Sequence, residues 1–200
     1  MKQKILSIFL LFFISCASFN NLDDKKYYSN LTSRGIIAVL PFENESNDLT
    51  APDMLRDMVI SSFAKKGWDV IKKETVDEKL RSIGITDGGQ LPAVEVKELY
   101  ELLNVNYLCY GYIHDFNMQN LGYIIKKNVE IEIKIVKADT GEVVFDEAGK
   151  GRDIKIYTNS DDAKKAFLEN AAIKLVSDIV NRPLYKQSEE AINKIFVKIP

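Results

Sequence analysis

Histidine and cysteine are nearly missing from this 200-residue chain: His114 is the only histidine, and Cys16 and Cys109 are the only cysteines. One histidine excludes a multi-histidine metal site within one chain. Two cysteines, one of them Cys109 inside an apolar strand pattern, exclude a disulfide framework. Excess positive charge is missing too, since 27 bases face 29 acids. Such a body has no basic field for nucleic acid or anionic lipid. Long hydrophobic runs are also absent. The one apolar run near the start, Ile5–Ile14, is too short to span a bilayer.

That run follows Lys2 and Lys4, and the pairing of a basic region with a short apolar region is an export signal. Removing residues 1–15 leaves 25 bases against 29 acids, a net charge of −4. A body of that charge has no electrostatic hold on an anionic membrane surface. Residues 16–34 are polar, rich in Asn, Asp, Lys and Ser, and without periodicity, so they read as a tether. The remainder is long enough for one domain with a real core, expected over residues 35–182, with 183–200 as a C-terminal tail able to form a helix.

The domain is organised around Ile36–Ser46, IIAVLPFENES. Five apolar residues in a row read as a strand buried on both faces and stopped by Pro41. Glu43, Asn44, Glu45 and Ser46 would then lie beyond the strand's carboxyl end, where α/β sheets place ligands and partners, and they are the candidate partner-binding residues. A turn that satisfies local backbone groups is the competing role for the same four. Thr50 with Asp53 predicts a capped helix bearing Leu55, Met58, Val59, Ser62 and Phe63, closed by Gly67. A strand around Trp68–Ile71 makes this a strand–helix–strand unit with a parallel pair. Thr75 and Glu78 predict a second capped helix ending at Gly84, and a third buries Val96, Leu99, Tyr100 and Leu103. Gly88-Gly89 lacks the preceding strand and following lysine of a phosphate loop.

In the second half the period changes. Asn106–His114 reads as a strand, and Val129, Ile131, Ile133 and Ile135 alternate with polar residues in a long strand with one wet face. Asp139–Glu142 is a tight turn, and Val143–Ala148 pairs back. A helix from Asp161 carries Leu168, Ala171, Ala172, Leu175 and Ile179 and is closed by Pro183, and Ser188–Phe196 is weakly amphipathic. The expected fold is α/β: a single domain with a mixed five-stranded sheet packed by helices, the first two strands parallel and the last three a meander.

Several pieces together resemble known families. Phe13-Ile14-Ser15-Cys16 resembles the lipobox of bacterial lipoproteins, which implies acylation of Cys16 as the mature N-terminus; phenylalanine stands where leucine is usual. Ala17 carries no aspartate-type retention signal, which implies the outer membrane where a cell has two. IIAVLPFENES resembles the opening of the TolB N-terminal domain, CsgG-like lipoproteins and the penicillin-binding-protein activator LpoB. KKGWDVIKKETVDEKLRSIGI, NYLCYGYI and VKADTGEVVFDEAGKG resemble successive units of an uncharacterised bacterial lipoprotein family with a TolB N-terminal-like fold. The likeness covers residues 35–151 and departs at Asn104–Asn106 and Phe145. It implies a homodimeric, periplasm-facing lipoprotein without enzymatic activity, with no cofactor, bound to other envelope proteins in transport or assembly. A CsgG-like pore is a second class, because the hairpin Tyr123–Ala148 has a strand long enough to span. A hydrolase is a third, with no nucleophile–base constellation in sight. His114-Asp115 reads as a structural strand end, and Asp161-Asp162 and Glu189-Glu190 as helix N-terminal acids. Tyr107, Tyr110, Tyr112 and Tyr123 invite a sugar-binding reading, with core or subunit interface as the plainer one.

Overall fold

Strand β1 (Ile36–Val39) is apolar throughout because the protein covers it on both sides: Ile37, Ala38, Val39 and Leu40 are all buried. In this computed structural model, which describes residues 31, 34–159, 161–162, 164–166, 168–169, 172 and 184–200, β1 lies between two parallel neighbours. The chain does not leave the sheet at Pro41, as its stop signal predicts. Leu40 N–H still bonds the Cys109 carbonyl at 2.9 Å, and pairing resumes in β2 (Glu43–Asn44), opposite Tyr112 and Ile113. The offset between partners falls from 70 to 69 across the proline, so one extra residue is absorbed there. Proline, which cannot donate to the ladder, sits at this irregularity, and Phe42 turns inward with 1% exposure.

Helix α1 (Ala51–Lys65) connects β2 to β3 (Asp69–Val70), which pairs parallel with β1. Its cap is Asp48 rather than Thr50: Asp48 Oδ1 accepts the N–H groups of Thr50 and Ala51 at 2.8 and 3.0 Å. Helix α2 (Lys73–Ser82) starts ahead of the expected Thr75 box, with Lys72 at its N-cap and no side-chain cap. Gly84, at φ +85°, ends it. The capping box lies further on, where Asp87 and Gln90 close a 3₁₀ turn over Gly88–Ala93. Helix α3 (Val96–Leu103) buries Leu99 and Leu103 but leaves Tyr100 38% exposed.

The meander is longer than its sequence pattern. β4 (Tyr107–Asn120), β5 (Ile124–Lys137) and β6 (Val143–Ile156) have 14 residues each and pair antiparallel in sequence order. With β2, the mixed sheet has six strands rather than five, ordered β3-β1-β4-β5-β6 with β2 alongside β4. Asn106, one departure from the family pattern, extends the ladder: its side-chain oxygen accepts the Ile36 N–H at 2.8 Å. Phe145, the other, is core.

Helices cover the two faces of this sheet unequally. On one face α1 and the last helix, α4 (Tyr185–Phe196), bury Val59, Phe63, Ile131, Ile133, Ile195 and Phe196 in one cluster. On the other, α2, α3 and the 3₁₀ turn cover Ala38, Leu40 and Leu108. That layer ends near Tyr110, and the polar side of the meander beyond it is half-exposed. Helix α4 is part of the packed body, although the sequence boundary placed it outside. Ala191, Ile192, Ile195 and Phe196 are buried, and Phe196 meets Phe63 edge-on at 4.8 Å. Leu31 is buried in the same cluster, so the stretch expected as tether already touches the core. In the helix from Asp161, Ala166 is buried and Leu168 is exposed. Ala171, Leu175, Ile179 and Pro183 lie outside the described residues, as do the export signal 1–15, Cys16 and the stretch to residue 30.

Candidate functional site

The four residues singled out by sequence divide into two roles. Asn44 and Ser46 are held locally. Asn44 Oδ1 accepts the backbone N–H and hydroxyl of Ser46 at 3.0 and 2.7 Å, and its Nδ2 donates to the Asp48 carbonyl at 2.9 Å. Ser46 Oγ in turn accepts the Asp48 N–H at 3.3 Å. These bonds make an Asx-type knot that positions Asp48 to cap α1. Glu43 and Glu45 flank the knot. Glu43 pairs with Tyr112 across the ladder and so shares its face.

Glu45 reaches His114. The imidazole lies between two carboxylates, with Nδ1 at 3.0 Å from Glu45 Oε2 and Nε2 at 3.0 Å from Glu132 Oε2. A register shift between Ile113 and Asp115 frees His114 from ordinary cross-strand pairing, and one element on each side then supplies an acid. The hydrogen bond to Glu45 is the main cause of a raised His114 pKa; burial lowers it, and Glu132 raises it further. Asp115 takes no part, and accepts instead from the side-chain amides of Asn117 and Asn128.

The same face carries Asp146, Lys134, Tyr110 and Tyr112. Burial, then the charge and hydrogen bond of Glu132, push Asp146 up to about 6. Burial pushes Tyr110 up to about 12. Lys134 Nζ stands 4.8 Å from the Tyr112 ring centre and 5.7 Å from that of Tyr110, within cation–π range. A cleft of about 330 Å³ opens where the helix layer stops, lined by Pro41, Leu91, Val94, Tyr110, Tyr112 and Lys134 among others. Tyr110 and Tyr112 thus share a face as expected. Tyr107 lies on the other face against Trp68, with ring centres 5.4 Å apart, and Tyr123 is exposed between β4 and β5.

The remaining sequence candidates are dispersed. Asp162 bonds Asn159 at the start of its helix. Glu190 lies past the first turn of α4 and pairs with Lys194 at 2.7 Å. Cys109 is fully buried on the helix-covered side, its thiol pushed far up by burial, which removes nucleophilic character. No metal-binding group of acids, histidine and cysteine occurs among the described residues. Sequence reasoning missed Glu132, Lys134 and Asp146 as a group. Their alternation along β5 and β6 was visible, but the register that joins them to Glu45 was not.

Residues 25–198 match the family described as "Putative lipoprotein GNA1162-like". The chain belongs to that family. Its fold is similar to that of lipoprotein GNA1162 from Neisseria meningitidis, at 17% identity over 72% of this chain and 98% of that one, with a TM-score of 0.57. A PelC dodecamer from Paraburkholderia phytofirmans gives 13% identity over 83% and 87% of the two chains at a TM-score of 0.49. The LpoB C-terminal domain from Salmonella enterica gives 12% over 61% and 85% at 0.46. No curated protein matches. The lipoprotein resemblance and the single mixed α/β domain read from sequence both hold.

Proposed function

We propose that this protein is a non-catalytic accessory of the bacterial envelope, lipidated at Cys16, anchored in the outer membrane and facing the periplasm, that binds other envelope proteins. The observation that carries the reading is membership of a lipoprotein family over residues 25–198, with Cys16 lying directly behind an export-type apolar run. The binding surface is the half-covered meander face, where Tyr110, Tyr112 and Lys134 border the cleft beside Glu43. Tyrosine contributes large contact area at low entropy cost, which suits a protein interface. A homodimer remains part of this proposal. The pore reading is weaker, because the apolar side of β5 that would face lipid is packed under α1 and α4.

A photo-crosslinking residue at Tyr112, expressed in native envelopes, tests the proposal. The expected result is a discrete crosslinked envelope protein, lost when Lys134 and Tyr110 are both changed to Ala in a chain that still folds. Recovery unaffected by those changes would remove this face, and liposome conductance would replace the accessory role with the pore.

A further inference from the structure

We propose that His114 is a proton-operated fastener: its charged ring ties the end of β2 to the meander through Glu45 and Glu132, and its neutral ring lets Glu45 go. The geometry requires this. Ionised carboxylates only accept hydrogen bonds, and a neutral imidazole has one N–H to give. Both ring nitrogens lie 3.0 Å from a carboxylate oxygen, so both contacts are hydrogen bonds only when the ring carries two protons. In the neutral ring one lone pair faces a carboxylate oxygen, and that contact repels.

Exposure decides which contact yields. The Glu132 side chain is 30% exposed and sits within the β4–β5–β6 ladder, whereas that of Glu45 is 58% exposed and follows a strand paired on one side to β4. The remaining N–H therefore stays on Glu132, and Glu45 turns to solvent.

The surrounding charges set the direction of the response. On the ring's side of the sheet lie Glu43 and Glu45 from the β2 segment, Tyr112 and Asp115 from β4, Glu130, Glu132 and Lys134 from β5, and Asp146 and Lys150 from β6, of which Glu45 and Glu132 touch the ring. Lys150 is engaged by Glu130 at 2.8 Å. Acids outnumber bases, which favours the charged ring, in line with its raised pKa. Fastening is complete below the ordinary histidine value of about 6.5 and is lost as pH rises through the raised value. The fastener joins side chains of this chain alone, at the end of β2 and on β4 and β5, and is independent of the binding role proposed above.

Because the chain has one histidine, its ring Cε1–H gives a single resonance. That resonance is followed from pH 5 to 9 in the full chain in detergent micelles, without affinity histidines, together with the backbone amides of Glu45 and Ser46. The expected midpoint lies above the ordinary histidine value of about 6.5. The two amides shift with the same midpoint, and Glu45→Gln lowers the midpoint and abolishes the shared amide shift. Glu45 is exposed, so this variant folds. A wild-type midpoint at or below the ordinary value overturns the fastener. So do amides that stay still while the ring titrates, or an amide response that survives Glu45→Gln.

Discussion

Arg56 donates twice to the carbonyl oxygen of Val39, from Nε at 3.1 Å and from Nη2 at 2.9 Å, while its Nη1 holds Asp77 at 2.7 Å. The reason lies in the brevity of β3. On that side of β1, Ile37 passes its carbonyl to Ile71 N–H at 3.0 Å, but β3 ends at Val70 and offers nothing to Val39 two residues on. A guanidinium from α1 takes the place of the missing strand and ties β1 to both flanking helices.

Arg56→Met keeps the aliphatic stem and removes the donors. The Val39 carbonyl and the Asp77 carboxylate are then left without this partner in a largely buried setting. The expected cost is about 2–4 kcal/mol, a large part of a domain's total of about 5–15. Urea unfolding checks this, and a midpoint within error of wild type would show that water satisfies the strand end.

Gly149 and Gly151 let α4 lie directly on β6. A Cβ on Gly151 would stand 1.8 Å from the Gln187 carbonyl oxygen, and one on Gly149 2.2 Å from that of Ala191. Backbone cannot yield as a flexible side chain would. Gly151→Ala is expected to cost about 1–3 kcal/mol and to raise proteolytic cleavage within α4. Thermal melting with limited proteolysis measures both.

Two glycines at strand spacing can mark a close approach of backbone, but the strand was expected to end at Ala148, so Gly149 and Gly151 fell outside it and the docking was not read. The weak amphipathicity of 188–196 and Pro183 before it concealed the helix's place in the body. Strand β1 was legible because burial on both faces leaves an unbroken apolar run, and the β5 alternation was legible because one of its faces is wet. Strand β2 was not legible, because a proline that stops most strands here only bulges one. The His114 cluster depends on that bulge and on the shift between Ile113 and Asp115, two offsets that no local pattern encodes.

Asp146 gives the pH dependence a second component. Its native-state pKa, pushed up to about 6, lies above the ordinary value of 3.8, so the native state binds this proton more tightly than the unfolded chain does. Its contribution is fully present below the ordinary value and is lost as pH rises through about 6. Asp146→Asn should therefore leave stability unchanged at pH 3.5 and raise it at pH 7.5, by less than about 1 kcal/mol after solvent screening. Paired melts at the two pH values read the difference, and an equal effect at both would exclude the titration.

The sequence treats Asn44 and Glu45 as one recognition loop, and the structure separates them into opposite expectations. Asn44 makes three hydrogen bonds inside its own turn and places Asp48 over the first N–H groups of α1. Asn44→Ala should therefore cost about 1–2 kcal/mol, as the loss of a helix cap does, at any pH between 5 and 9. Glu45 makes no bond within the knot, and its side chain is 58% exposed. At pH 8.5, Glu45→Ala should change stability by no more than about half a kcal/mol, in the range of ordinary surface changes. At pH 5.5 it should destabilise measurably, because His114 is then charged and loses one of two acids. Denaturant unfolding of both single variants at both pH values resolves the four cells. A pH-independent Glu45 effect would make that side chain part of the turn. A neutral Asn44→Ala would mean that Asp48 caps the helix without help.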